Sequence, residues 1–107
     1  MTILKEIESI LENHNLTPED IHWIGNKEVK TNWENFKNIT DVEPDFRDKI
    51  ACDILIVGDG WWLERYYHTG TEWWGFRQYP KEPIKKVYLK WIVGGLEHTD
   101  LKSMNAY

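Results

Sequence analysis

Ile3, Leu4, Ile7, Ile10 and Leu11 fall on one stripe of a helix. The spacing predicts a helix from about Thr2 to Asn13, with Thr2 as N-cap and the polar run Asn13-His14-Asn15 as its end. LTPED, residues 16–20, reads as a single helical turn in which Thr17 caps, Pro18 takes the first helical position and Asp20 reaches back. IHWIG, residues 21–25, is short, apolar and closed by Gly25, and it reads as a strand. In TNWENFKNIT, residues 31–40, Thr31 and Glu34 have the spacing of a capping box, and Trp33, Phe36 and Ile39 share a face, so a second helix of about two turns is expected. DVEPDFRD, residues 41–48, is a loop broken by Pro44.

The pattern then changes from helical to strand period. Residues 53–79 are rich in β-branched and aromatic side chains and are punctuated by Asp59-Gly60 and Thr69-Gly70, two dipeptides typical of two-residue hairpin loops. They predict strands over 53–58, 61–68 and 71–79, ended by Pro80 and Pro83. A fourth strand is expected in IKKVYLKWIV, residues 84–93, where Val87, Leu89, Trp91 and Val93 alternate with Tyr88, Lys90 and Ile92, and Gly94-Gly95 close it. The tail from residue 96 reads as a helical turn or a frayed end. The fold class expected is α+β: one domain over 1–107, with an antiparallel meander of three to five strands packed against two N-terminal helices. Residues 1–50 form its mainly helical part, 51–95 its hairpin sheet and 96–107 its tail.

Two-residue loops dictate register. They pair Val57 with Trp62, Ile56 with Leu63, Leu55 with Glu64, Ile54 with Arg65, Tyr66 with Trp73, Arg65 with Trp74, Leu63 with Phe76 and Trp62 with Arg77. Because side chains alternate along a strand, the two tryptophan pairs, Trp61-Trp62 and Trp73-Trp74, are each split between faces. The first face holds Ile54, Ile56, Trp61, Leu63, Trp74 and Phe76, with Arg65 at its edge, and is nearly all apolar. The second holds Leu55, Val57, Trp62, Glu64, Tyr66, Trp73 and Arg77. The first is the better core. The second combines large aromatic area with polar handles, the composition of binding hot spots; Trp62, Glu64, Tyr66, Trp73 and Arg77 are its candidate partner-binding residues. The alternative is a second core layer covered by another helix or a dimer partner. Arg65 beside Trp74 and Arg77 beside Trp62 are placed for cation–π contact.

Charge and composition narrow the function classes. The formal net charge of −5 is uneven: residues 1–53 carry 6 basic and 12 acidic side chains, and residues 54–107 carry 7 and 6. An acidic half argues against direct nucleic-acid binding, whose affinity comes from neutralising phosphates, and suits a basic protein partner or mimicry of a nucleic acid. The apolar runs are too short to span a bilayer and the N-terminal stretch lacks the features of a signal peptide, so a cytoplasmic location is expected. The single cysteine, Cys52, allows no internal disulfide and is expected to be a small buried thiol beside a strand. His14, His22, His68 and His98 share no metal-ligand spacing, and Ser9, Ser103 and Cys52 lack the neighbours of a nucleophile, so no catalytic residue, metal or cofactor is assigned. Asp59-Gly60 lacks the helix start and further glycines of a phosphate loop. Glu64 and Glu72 fall on opposite faces, which leaves no carboxylate pair for glycoside hydrolysis.

Asp53, IVGD at 56–59, WWLER at 61–65, Gly70, EWW at 72–74 and Phe76, with EDIHWIG at 19–25 and WENF at 33–36, together resemble a pattern in small uncharacterised accessory proteins encoded by phages and prophages of Gram-positive bacteria. The resemblance covers roughly half the chain. YYHTG, residues 66–70, stands where that pattern is more acidic. The resemblance implies a non-enzymatic module that binds a host or phage protein, with inhibition of a host defence system such as CRISPR-Cas as one form of it. It transfers no catalytic residue. Two other classes remain open: a structural homo-oligomer whose second face meets its symmetry mate, and a small-ligand or carbohydrate-binding domain built on the aromatic face.

Overall fold

The computed structural model describes residues 1–44 and 49–107. The chain runs through helix α1 (Ile3–Asn13), a 3-10 turn (Pro18–Asp20), strands β1 (Ile21–Gly25) and β2 (Lys30–Thr31), and helix α2 (Trp33–Thr40). Strands β3 (Leu55–Gly58), β4 (Trp61–His68) and β5 (Thr71–Gln78) follow, and then a short helix α3 (Leu101–Asn105). The strands form one antiparallel sheet in the order β2-β1-β3-β4-β5. This is the expected α+β class.

Helix α1 starts where its cap chemistry demands. The Thr2 hydroxyl accepts from the Lys5 N–H at 3.0 Å. At its end the Leu16 N–H donates to the Leu11 carbonyl and the Asn15 N–H to that of Glu12, with Asn15 in the left-handed region at φ 58°; this is a Schellman stop, which turns Leu16 back against the core. Thr17 and Asp20 close a reciprocal capping box around Pro18. Helix α2 differs from expectation in its cap: Asn32, not Thr31, accepts from the Asn35 N–H, at 2.9 Å. Thr31 lies in β2, opposite Ile24, with its hydroxyl donating to Asn35 Oδ1. At 100° per residue, Trp33, Phe36 and Thr40 then point inward while Ile39 turns away, so that Ile39 is 63% exposed rather than part of the apolar stripe.

Both hairpins have two-residue loops, and the predicted pairs are present except Ile54 with Arg65, because β3 begins only at Leu55. Thr69 and Gly70 adopt φ of 49° and 82°, the paired left-handed conformation of a turn whose twist matches that of the strands it joins. The first face packs beneath the helices. Ile7 and Leu11 of α1, Phe36 of α2, Ile24 of β1, and Ile56, Leu63, Trp61 and Trp74 of the hairpins form one buried cluster. His14 closes its rim by stacking on Phe76 at 3.7 Å, and Arg65 lies over the Trp74 ring at 4.9 Å.

Three further expectations are corrected. No strand forms over 84–93. Pro80 and Pro83 stand where the chain would turn back onto β5. The backbone of Lys90 and Trp91 is taken by the Asn105 side chain, whose Oδ1 accepts from both N–H groups at 2.9 Å while Nδ2 donates to the Trp91 carbonyl. Residues 79–107 thus form an arm lying largely outside the packed body, and the radius of gyration is 18.6 Å against about 13 Å for a compact chain of this size. The fifth strand is instead β2, a two-residue piece absent from the sequence expectation. Cys52 is exposed, because residues 52–53 turn ahead of β3, which begins at Leu55. Of the predicted loop at 41–48, residues 45–48 lie outside the described residues. No helix among the described residues is long and apolar enough to cross a membrane.

The cap assignment predicts that Asn32→Ala destabilises the protein by about 1 kcal/mol, whereas Glu34→Ala stays within about 0.5 kcal/mol. Urea unfolding followed by tryptophan fluorescence separates the two; equal losses would restore the Thr31–Glu34 box.

Candidate functional site

The alternation that buries Trp61 and Trp74 places Trp62 and Trp73 on the opposite face. There the cross-strand pairs stack into rows: Trp23, Val57, Trp62 and Arg77 in one, then Gly25, Leu55, Glu64 and Gly75. Tyr66 and Trp73 make the next. All five candidate residues, Trp62, Glu64, Tyr66, Trp73 and Arg77, are on this face. Trp62, Glu64 and Tyr66 are half-buried, Arg77 is exposed, and Trp73 is 42% exposed.

Glu64 organises the group. Its Oε2 accepts from Trp62 Nε1 at 3.1 Å, its Oε1 accepts from the Tyr66 hydroxyl, and Arg77 Nε lies 3.7 Å from that same Oε1. Arg77 therefore pairs with the carboxylate that links the two aromatic rings. Trp62 tilts against Tyr79 instead, with ring centroids 5.4 Å apart, and Tyr66 tilts against Trp73 at 5.7 Å. The result is a continuous band, Trp73–Tyr66–Glu64–Trp62–Tyr79, that runs along β4 and crosses to the β5 side at both ends.

Gly75 makes the band possible. It stands opposite Glu64, and the Tyr66 ring lies where a Cβ on residue 75 would be. A side chain there would lift the ring off the sheet and away from Glu64.

Hydrogen bonding sets the charge state of the cluster. The Tyr66 hydroxyl, aided by Trp62 Nε1 and by Arg77, holds the Glu64 carboxyl below its usual range against a smaller opposing effect of burial. The same bond, to a carboxylate, pushes the Tyr66 phenol up. At neutral pH Glu64 is ionised and Tyr66 protonated, so the band presents aromatic faces around a carboxylate that is already engaged. A carboxylate so engaged holds the Trp62 and Tyr66 rings in place. Among the described residues no group of three or more His, Cys, Asp and Glu could hold a metal ion.

Sequence reasoning missed Trp23 and Tyr79. Trp23 enters the face only through the pairing of β1 with β3, which crosses an irregularity between Ile21 and Trp23. The signal for Tyr79 was local: its N–H continues the β4–β5 ladder by donating to the Gly60 carbonyl at 3.0 Å, which brings its ring over Trp62.

No family model, no curated protein and no solved structure matches this chain.

Two predictions follow from Glu64 and Gly75. A depressed carboxyl pKa means that the unfolded chain takes up the proton first as pH falls. The stabilisation from Glu64 is thus complete above the ordinary carboxylate range and fades as pH drops through the lower folded value. Glu64→Gln should flatten the fall in melting temperature between neutral pH and the acid limit; an unchanged slope would remove Glu64 from the acid response. Gly75→Ala should cost about 1–3 kcal/mol through overpacking, and much of that loss should vanish in the Tyr66→Ala background. Additive losses in this double-mutant cycle would show that the ring is not what the added methyl meets.

Proposed function

We propose that this chain is a non-enzymatic protein-binding module whose aromatic face, Trp62, Glu64, Tyr66, Trp73 and Arg77, is the docking surface for a partner protein. One observation carries the reading. With the opposite face buried under two helices, this face still exposes a hydrogen-bonded band of large aromatics, with the Trp73 ring 42% exposed. Fixed aromatic side chains bury much area at little entropic cost, which is why they dominate interface energetics. The Glu64 contacts hold Trp62 and Tyr66 in place before any partner arrives, so less ordering remains to be done on binding.

The partner in this proposal has a basic surface. Residues 1–53 carry 12 acidic against 6 basic side chains, a field that speeds the approach of positive charge and opposes nucleic acid. The resemblance to phage and prophage accessory proteins supports a host protein as that partner, met in the host cytoplasm, and inhibition of a defence system such as CRISPR-Cas as the outcome.

Trp73→Ala tests the assignment, because this ring is the most exposed of the sheet tryptophans. The variant should keep its melting temperature within a few degrees and lose at least tenfold in partner affinity, as truncation of a hot-spot aromatic does. Pull-down from lysate of a Gram-positive bacterium, wild type and variant side by side, gives the comparison. Unfolding of the variant would return Trp73 to a structural role, and undiminished capture would move the interface off this face.

A further inference from the structure

Among the described residues no strand lies beyond β5, where Lys49 Nζ reaches Glu72 Oε2 at 3.3 Å through side chains alone, and the arm that follows β5 has the sequence of a strand. Around a two-residue loop the flanking residues form a hydrogen-bonded pair, and such pairs recur at every second position. His68–Thr71, Tyr66–Trp73, Glu64–Gly75 and Trp62–Arg77 are therefore the bonded pairs, a series that the Tyr79 N–H to Gly60 carbonyl bond continues. The N–H and C=O groups of Glu72, Trp74, Phe76 and Gln78 point the other way. Among the described residues no backbone group pairs with them. An unpaired eight-residue edge is a template for another strand.

Residues 84–89, IKKVYL, fit that template. Val87 and Leu89 are 36% and 37% exposed and Tyr88 is 93%, so the arm keeps the two-sided alternation of a strand without having one to pair with. Asn105 engages residues 90 and 91, whereas the backbone of 84–89 makes no hydrogen bond among the described residues. Between edge and arm lie Pro80 and Pro83. They stiffen the connection at the point where a hairpin back onto the same β5 would have to turn, and a stiff, short connection favours exchange between copies over return. Charge favours contact between arm and body. Residues 1–79 carry eight basic and fifteen acidic side chains, residues 80–107 five and three, with Lys85 and Lys86 inside the pairing segment. A basic arm is thus drawn to an acidic body, and the stiff Pro80–Pro83 connection turns it from its own to that of a second copy.

We propose that residues 84–89 of one chain add as a strand to the free edge of β5 in a second copy, reciprocally, to give an arm-exchanged dimer. The aromatic face is perpendicular to this edge and stays available, so the dimer does not depend on the binding role proposed above.

Light scattering and amide hydrogen exchange on the full chain test it, with reductant present because Cys52 is exposed. At sub-millimolar concentration the mass should be twice that of one chain. The amides of Trp74, Phe76 and Val87 should exchange about a hundredfold more slowly than in the diluted sample. Val87→Pro, which deletes an arm N–H without touching the body, should yield a monomer with the wild-type melting temperature measured on the diluted protein. A monomer at all concentrations would overturn the proposal. A dimer with Trp74 and Phe76 amides unprotected, or one that survives Val87→Pro, would do the same, since the contact would then lie elsewhere. Protection of these amides in a monomer would mean that the arm returns to its own β5.

Discussion

Everything distinctive about this protein depends on the two-residue turns that join β3, β4 and β5. A turn of that length admits one register, and with a side-chain period of two, register decides which member of each tryptophan pair faces the helices. Had the first loop been one residue longer, β4 and β5 would both have changed sides relative to β3: Trp62 and Trp73 would have sought the core, and Glu64 and Arg77 would have followed them into it, where an ionised pair is costly. The left-handed φ values of Thr69 and Gly70, and of Gly60, are the local conformations on which this sorting rests.

With register set, the two faces divide the work. The inner face supplies the core of a small domain: Ile7 and Leu11, Phe36, and four hydrophobic positions of the hairpins, including two of the tryptophans, close over one another. The outer face is organised by polar geometry. One carboxylate, Glu64, ties Trp62, Tyr66 and Arg77 together, and the absence of a Cβ at Gly75 lets the Tyr66 ring lie flat enough to reach it. Aromatic rings held in this way do not need a hydrophobic cover to be ordered. That makes a solvent-facing band of them compatible with a folded monomer.

The arm sets a different kind of constraint. Its apolar residues have the spacing of a strand, yet a strand exists only through hydrogen bonds to a neighbour, and the prolines at 80 and 83 separate the arm from the nearest one. The Asn105 side chain acts in place of a neighbouring backbone at Lys90 and Trp91. Among the described residues neither the outer edge of β5 nor residues 84–89 has a backbone partner, which is the ground of the arm exchange proposed above.

The sequence by itself determined what depends on neighbours a few residues away. Thr2 and the stripe from Ile3 to Leu11 specify α1, Thr17-Pro18 specifies the 3-10 turn, and the two glycine turns specify the hairpin registers and hence the grouping of Trp62, Glu64, Tyr66, Trp73 and Arg77 on one face. The tertiary structure decided what depends on a partner distant along the chain. Trp23 joined the aromatic face only when β1 paired with β3, thirty or so residues away, a contact whose closure entropy local pattern does not encode. Asn32 displaced Thr31 as the cap because Thr31 was claimed by β2, and this turned Ile39 outward. Residues 84–93 failed to become a strand because alternation expresses only a readiness to pair. Whether pairing happens is settled by what lies alongside.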